Sequence, residues 1–189
     1  MLHSFINSGR PLTRAEIKQQ WPGLDVAQAL TRLAGDDLIV LASNTQEIKG
    51  AYPLTLEETP HKVRVNGYTL RAMCALDALA VSTLFGSPTE IESLCRMTNT
   101  PIFLRQTGLT VLTADPSDAV QVGIHWQPSQ SCAAHSLCRE MVFLVDTATA
   151  ETWRAIDLEQ RDCFGLPEAI ELGDAFFRPL LAENPFPIG

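Results

Sequence analysis

Between Ala72 and Val81 the chain runs ten residues of almost unbroken apolar character, interrupted by one carboxylate, Asp77. Ala72, Met73, Ala78, Leu79, Ala80 and Val81 surround it, and Gly86 closes the run. A helix over about 71–84 built this way is apolar on every face, so it has to lie inside a core. The run is far too short to cross a membrane. The rest of the chain must therefore supply layers that cover the helix on all sides, and must accommodate a carboxyl group that water cannot reach. With 189 residues the chain is long enough to do so as one domain or two small ones. At 46% hydrophobic and 19% charged residues, disordered and fibrous classes are excluded.

The flanking patterns indicate what those layers are. Thr13 followed by Glu16 has capping-box spacing and opens a short helix through about Gln20. Asp25 opens a second, with Val26, Ala29, Leu30 and Leu33 at helical spacing and Gly35 at its end. Leu38–Leu41 reads as a strand, and Tyr52–Leu56 as its return across a polar stretch, 43–60. Two helices followed by a strand pair is the order of a winged-helix unit. His61–Leu70 is a hairpin turning on Asn66-Gly67. Beyond Gly86, short strands are expected at 90–95, 101–104, 109–113, 120–126 and 141–145, with a polar segment at 127–131 and helices over 149–158 and 167–182. Without a repeating βαβ period this is an α+β chain. The expected organisation is a winged-helix-like N-terminal unit, 1–58, followed by a mostly antiparallel α+β domain, 59–189.

Charge excludes some partners. Fourteen basic against twenty-two acidic residues leave −8, a surface that repels phosphate backbones and anionic lipid. The segment 25–37 offers Arg32 against Asp25, Asp36 and Asp37, which is not a DNA-reading helix. Met1–Phe5 lacks the basic and apolar regions of a secretory signal. The five cysteines are odd in number and irregularly spaced. The expectation is a cytoplasmic protein with reduced thiols, without nucleic-acid or membrane partners.

Two stretches could carry chemistry. Cys74 and Asp77 lie three apart, on one helical face. The helix start favours a thiolate at Cys74, while burial makes Asp77 a proton donor near neutral pH. The bland alternative is a filler cysteine with Asp77 paired to Arg71 or Arg105. The second stretch is Cys132-Ala-Ala-His135-Ser-Leu-Cys138. It lacks the paired elements of a zinc site, so one of its cysteines folding against Cys74 is the more economical reading. Two thiolates and a carboxylic acid would hold a soft metal beside a proton source. Phosphate-binding, nucleophile-elbow and HExxH signatures do not occur.

The tetrapeptide Cys74-Ala75-Leu76-Asp77, behind a hairpin and ahead of an apolar run, resembles the catalytic helix of the organomercurial (alkylmercury) lyases. Gly9–Arg14, Leu54–Thr59, Ser136–Cys138 with Phe143 and Thr149–Trp153, and Glu168–Leu181 are similar to further family segments in the same order. The sequence departs from the family pattern at Met73, where an aromatic is usual, and at Arg139, where a second cysteine often stands. The resemblance implies that Cys74 and Cys138 are catalytic thiols that also hold the metal, and that Asp77 is the proton carrier and the third residue of the metal site. Cys95 matches a third family cysteine with a structural look; Cys132 and Cys163 match nothing. The implied reaction is protonolysis of a carbon–mercury bond, giving a hydrocarbon and Hg(II), without an organic cofactor. Low-molecular-weight thiols or mercuric reductase would then take the metal. A non-catalytic soft-metal binding or trafficking protein, or a lyase for another organometal, is the alternative on the same scaffold.

Overall fold

A computed structural model describes residues 2–127 and 132–181. Three helices come first: α1 (Leu2–Ser8), α2 (Arg14–Gln20) and α3 (Val26–Gly35). The Thr13–Glu16 capping box forms as expected, and Asp25 caps α3 by accepting the Gln28 N–H. α1 was not anticipated, since it has no capping signal and buries only Phe5 and Ile6, with Leu2 partly covered.

Eight strands then build one antiparallel sheet in the order β1-β2-β3-β5-β4-β6-β7-β8. They are β1 (Ile39–Leu41), β2 (Ile48–Ala51), β3 (Leu54–Thr55), β4 (Lys62–Val65), β5 (Tyr68–Ala72), β6 (Thr89–Leu94), β7 (Pro101–Thr107) and β8 (Thr110–Asp115). The β1–β2 hairpin after α3 is thus continuous, through β3, with the hairpin around Asn66-Gly67. A second antiparallel sheet, β10-β9-β11, combines β9 (Gln121–His125), β10 (Met141–Leu144) and β11 (Arg161–Gly165). Helix α5 (Thr147–Arg154) packs on that sheet, capped by Asp146. β2 fell inside the polar stretch 43–60, and β11 carries Arg161 and Asp162 at its start, so neither announces itself by composition.

The apolar run forms α4 (Ala75–Phe85), ended by Gly86 in the left-handed region. The helix starts later than its composition suggests. Arg71 and Ala72 are still strand, paired with Thr55 and Leu54, and backbone pairing overrides the helical pattern there. Ala75 through Ser82 are all buried, between strands β5, β6, β7 and β10 and helix α6 (Leu166–Phe177). α6 approaches α4 closely at Gly173, where a side chain would stand 3.2 Å from the Leu76 carbonyl. After α6 a short 3₁₀ turn ends at Leu181; the expected terminus at Ala182 and residues 128–131 of the polar segment lie outside the described residues. Burying Leu76, Leu79 and Val81 contributes about 1.5–3 kcal/mol each, so α4 anchors the fold.

Candidate functional site

Cys74 is the residue at which β5 becomes α4. Its backbone is extended, and its Sγ takes the capping role a serine usually plays, accepting the Asp77 N–H at 3.3 Å. Its S–H points to the Met141 Sδ at 3.6 Å. At 1% exposure, burial dominates over the helix dipole. It pushes the thiol well above its ordinary value, with Cys138 and Asp77 adding to the effect. The resting group is a neutral thiol, the opposite of the thiolate expected from helix position alone.

Asp77, in the first turn of α4, has no solvent exposure. Among the described residues neither carboxyl oxygen finds a hydrogen-bond partner. Arg71 pairs with Glu58 and Arg105 with Glu90, so the structural salt bridge does not form. Burial raises the carboxyl to about 7; the neighbouring thiols of Cys74 and Cys138 and the Cys74 backbone pull in the other direction without cancelling it. An isolated buried carboxylate is costly, and holding a proton is how the group avoids that cost.

Cys138 arrives from a different layer. It lies in the second of two short 3₁₀ turns, Ala133–His135 and Leu137–Glu140, just before β10. The ligand atoms of Cys74, Asp77 and Cys138 all lie within 4.8 Å of one another, and all three residues are buried. A cavity of about 350 Å³ opens onto them, walled by Tyr52, Leu76, Met141, Phe176 and Phe177. A second cavity, about 460 Å³, also reaches Cys138 but is lined by His61, Arg96, Arg139 and Glu140.

The remaining candidates do not join this cluster, although Cys95 and His135 line the second cavity. His135 is engaged with Glu57 at 2.8 Å. Cys132 lies 3.8 Å from the Tyr52 hydroxyl, so the 132–135–138 stretch does not gather its side chains around one point. Cys95 is fully buried, with its backbone N–H bonded to the Thr100 carbonyl. Cys163 on β11 points its thiol at the Ala150 carbonyl. Sequence reasoning missed Tyr52, Met141, Phe176 and Phe177, which are remote in the chain and carry no local signal.

Two buried thiols with a buried acid beside them could hold a soft metal next to a proton source. The comparisons agree with that class. The sequence profile of the alkylmercury lyases (MerB) matches residues 54–178, and the chain belongs to that family. The alkylmercury lyase of Bacillus cereus is 36% identical over 123 residues, 64% of this chain and 54% of that protein. The Pseudomonas putida alkylmercury lyase is 30% identical over 147 residues, 77% of this chain and 66% of that protein. The chain thus spans between half and two thirds of the length of these curated relatives. Among solved structures, the mercury-bound form of MerB2 superposes with a TM-score of 0.80 at 23% identity, over 94% of this chain and 86% of that one. That likeness shares the fold.

Proposed function

We propose that this chain cleaves carbon–mercury bonds by protonolysis, with Cys74 and Cys138 as metal-binding thiols and Asp77 as the general acid. One observation carries the reading: two thiols and a carboxylic acid raised to about 7 converge within 4.8 Å, out of water, at an apolar cavity. The cavity suits the organic group, and the sulfurs suit the metal. Thiolates are soft donors, and each one that binds weakens the bond from mercury to carbon. The balance is R–Hg⁺ + 2 Cys–SH → R–H + Hg(S–Cys)₂ + H⁺. Sulfur must lose its proton as it binds, and the carbon must gain one. Asp77 sits beside both events and can deliver that proton as a general acid.

Hg(II) left on two thiolates would exchange onto external thiols or onto a partner such as mercuric reductase. Such a site works only with reduced cysteines, and all five are free. That fits a cytoplasmic setting. Among the described residues no helix is long and apolar enough to cross a membrane. The test is release of benzene from phenylmercury in excess thiol. Retention of Hg(II) without benzene release would assign the chain to metal binding alone.

A further inference from the structure

The chain reaches Cys138 through the first of the two 3₁₀ turns, Ala133–His135, and two side chains from the N-terminal part of the chain hold the start of that first turn. Oδ2 of Asp37 accepts the Ala133 N–H at 2.9 Å. The Tyr52 hydroxyl accepts the Ala134 N–H at 2.6 Å and donates to Oδ1 of Asp37 at 3.3 Å. The first N–H groups of a helical turn have no partner within it, so without this pair both would lack one, that of Ala134 in a buried position. Asp37 holds a backbone φ of 55°, a left-handed conformation that side-chain-bearing residues keep only where their surroundings enforce it. Both residues border the same cavity as Cys74, Asp77 and Cys138.

The same short segment also mounts the other thiol. Tyr52 directly follows β2, and Leu54 of β3 pairs with Ala72, two residues before Cys74. Residues 51–55 thus reach Cys74 through a backbone ladder and the turn ahead of Cys138 through a side chain. We propose that Asp37 and Tyr52 are positioning residues that set the Cys138 thiol at chelating distance from Cys74 by clamping the two N–H groups at the start of the turn Ala133–His135, which leads directly into the turn carrying Cys138. This rests on the reading that the two thiols hold mercury. Neither residue has to take part in the chemistry. The Tyr52 hydroxyl is already engaged by Asp37, the Ala134 N–H and the Cys132 sulfur. Burial first, and the nearby Cys138 and Cys132 thiols second, keep that hydroxyl protonated.

The experiment uses the full chain, with Tyr52→Phe, Asp37→Asn and the double variant. Mercuric chloride is the probe, titrated in competition with a monothiol. Iodoacetamide labelling of the metal-free protein, read for each cysteine by mass spectrometry, reports the local change. Removing a group that orients a metal ligand typically costs about 10–100-fold in affinity. Each variant should lose about that much for Hg(II) and label faster at Cys138, with Cys95 labelling unchanged. Because the two act as a unit, the double variant should lose no more than the worse single one. Asn tolerates the left-handed backbone at position 37, so Asp37→Asn decides the matter if Tyr52→Phe fails to fold. A folded variant that keeps wild-type Hg(II) affinity and wild-type Cys138 labelling overturns the clamp. A wild-type protein that does not retain Hg(II) would instead overturn the functional reading, and the Cys138 labelling rates would still judge the clamp.

Discussion

The two thiols of the site are mounted in contrasting ways. Cys74 stands where a sheet strand hands over to the most buried helix of the molecule, and its sulfur is part of that helix's cap. Strand pairing on one side and α4 burial on the other fix it. Cys138 sits on 3₁₀ turns whose start is fixed by side chains belonging to another part of the chain. Both sulfurs lie in the core, but one mount is regular backbone structure on both sides, while the other joins β10 to a turn whose start is held by two side-chain hydrogen bonds.

The strongest way to break that comparison is to remove the sulfurs. Cys74→Ser and Cys138→Ser should each bring benzene release from phenylmercury to background, because a hydroxyl is a hard and poorly ionised substitute for a thiolate. Cys74→Ser should also leave the fold intact, since a serine oxygen can accept the Asp77 N–H as an ordinary helix cap. Full turnover in either variant would show that its sulfur is not a metal donor.

Asp77→Asn separates metal holding from proton delivery. It preserves size and both thiols, so Hg(II) should still bind, while hydrocarbon release should fall about 10²–10⁴-fold. With the carboxyl at about 7, wild-type turnover should decline as pH rises past that point. Stability has a definite sign too. Between about pH 4 and pH 7 the folded state keeps a proton on Asp77 that the unfolded chain, titrating near its ordinary 3.8, has lost. Stability must therefore fall as pH rises through this window, by about 1.4 kcal/mol for each unit of displacement. Thermal melts across that range should show the slope in the wild type and its loss in Asp77→Asn. Unchanged turnover in Asp77→Asn would make Asp77 a structural acid.

How far each mount was legible in the sequence follows the same division. Cys74 and Asp77 could be read because they share one helix turn inside an apolar run, where a carboxylate is anomalous. The Thr13–Glu16 capping box, the Asn66-Gly67 hairpin and the antiparallel α+β class could be read for the same reason: their signals are local. The bond from Tyr52 to Ala134 spans 82 positions, and nothing about a tyrosine in a polar stretch forecasts it. Cys138 itself was reached through resemblance rather than spacing. The late start of α4 was hidden because Arg71 and Ala72 suit either a helix or a strand, and only the cross-strand partners at Thr55 and Leu54 decide. The neutral resting state of Cys74 was hidden too, since it depends on burial by distant segments.

A smaller perturbation probes the stable mount. Gly173→Ala places a methyl 3.2 Å from the Leu76 carbonyl, where α6 rests on α4. Overpacking of this kind costs typically about 1–3 kcal/mol. Thermal unfolding should register it, and Hg(II) affinity should drop with it, because Leu76 lies between Cys74 and Asp77. A variant with unchanged melting temperature would mean that α6 can shift away freely and that α4 is less firmly held than its burial implies.

The smallest effect supplies the control. Asp146 caps α5 by accepting the Thr149 N–H at 2.7 Å, and α5 packs on the second sheet without bordering the cavity at Cys74 and Cys138. Removing such a cap costs about 1 kcal/mol, which for a domain of this length lowers the melting temperature by about 2–4 °C. Asp146→Ala should show that drop and nothing else, with Hg(II) affinity and Cys138 labelling as in the wild type. The result matters because Tyr52→Phe will also destabilise the protein somewhat. If general loosening were enough to free the Cys138 turn, Asp146→Ala would loosen it too, and the contrast between the two thiol mounts would reduce to global stability. If only the Tyr52 and Asp37 variants release Cys138 at comparable loss of melting temperature, the turn is held locally, by the two hydrogen bonds that reach it.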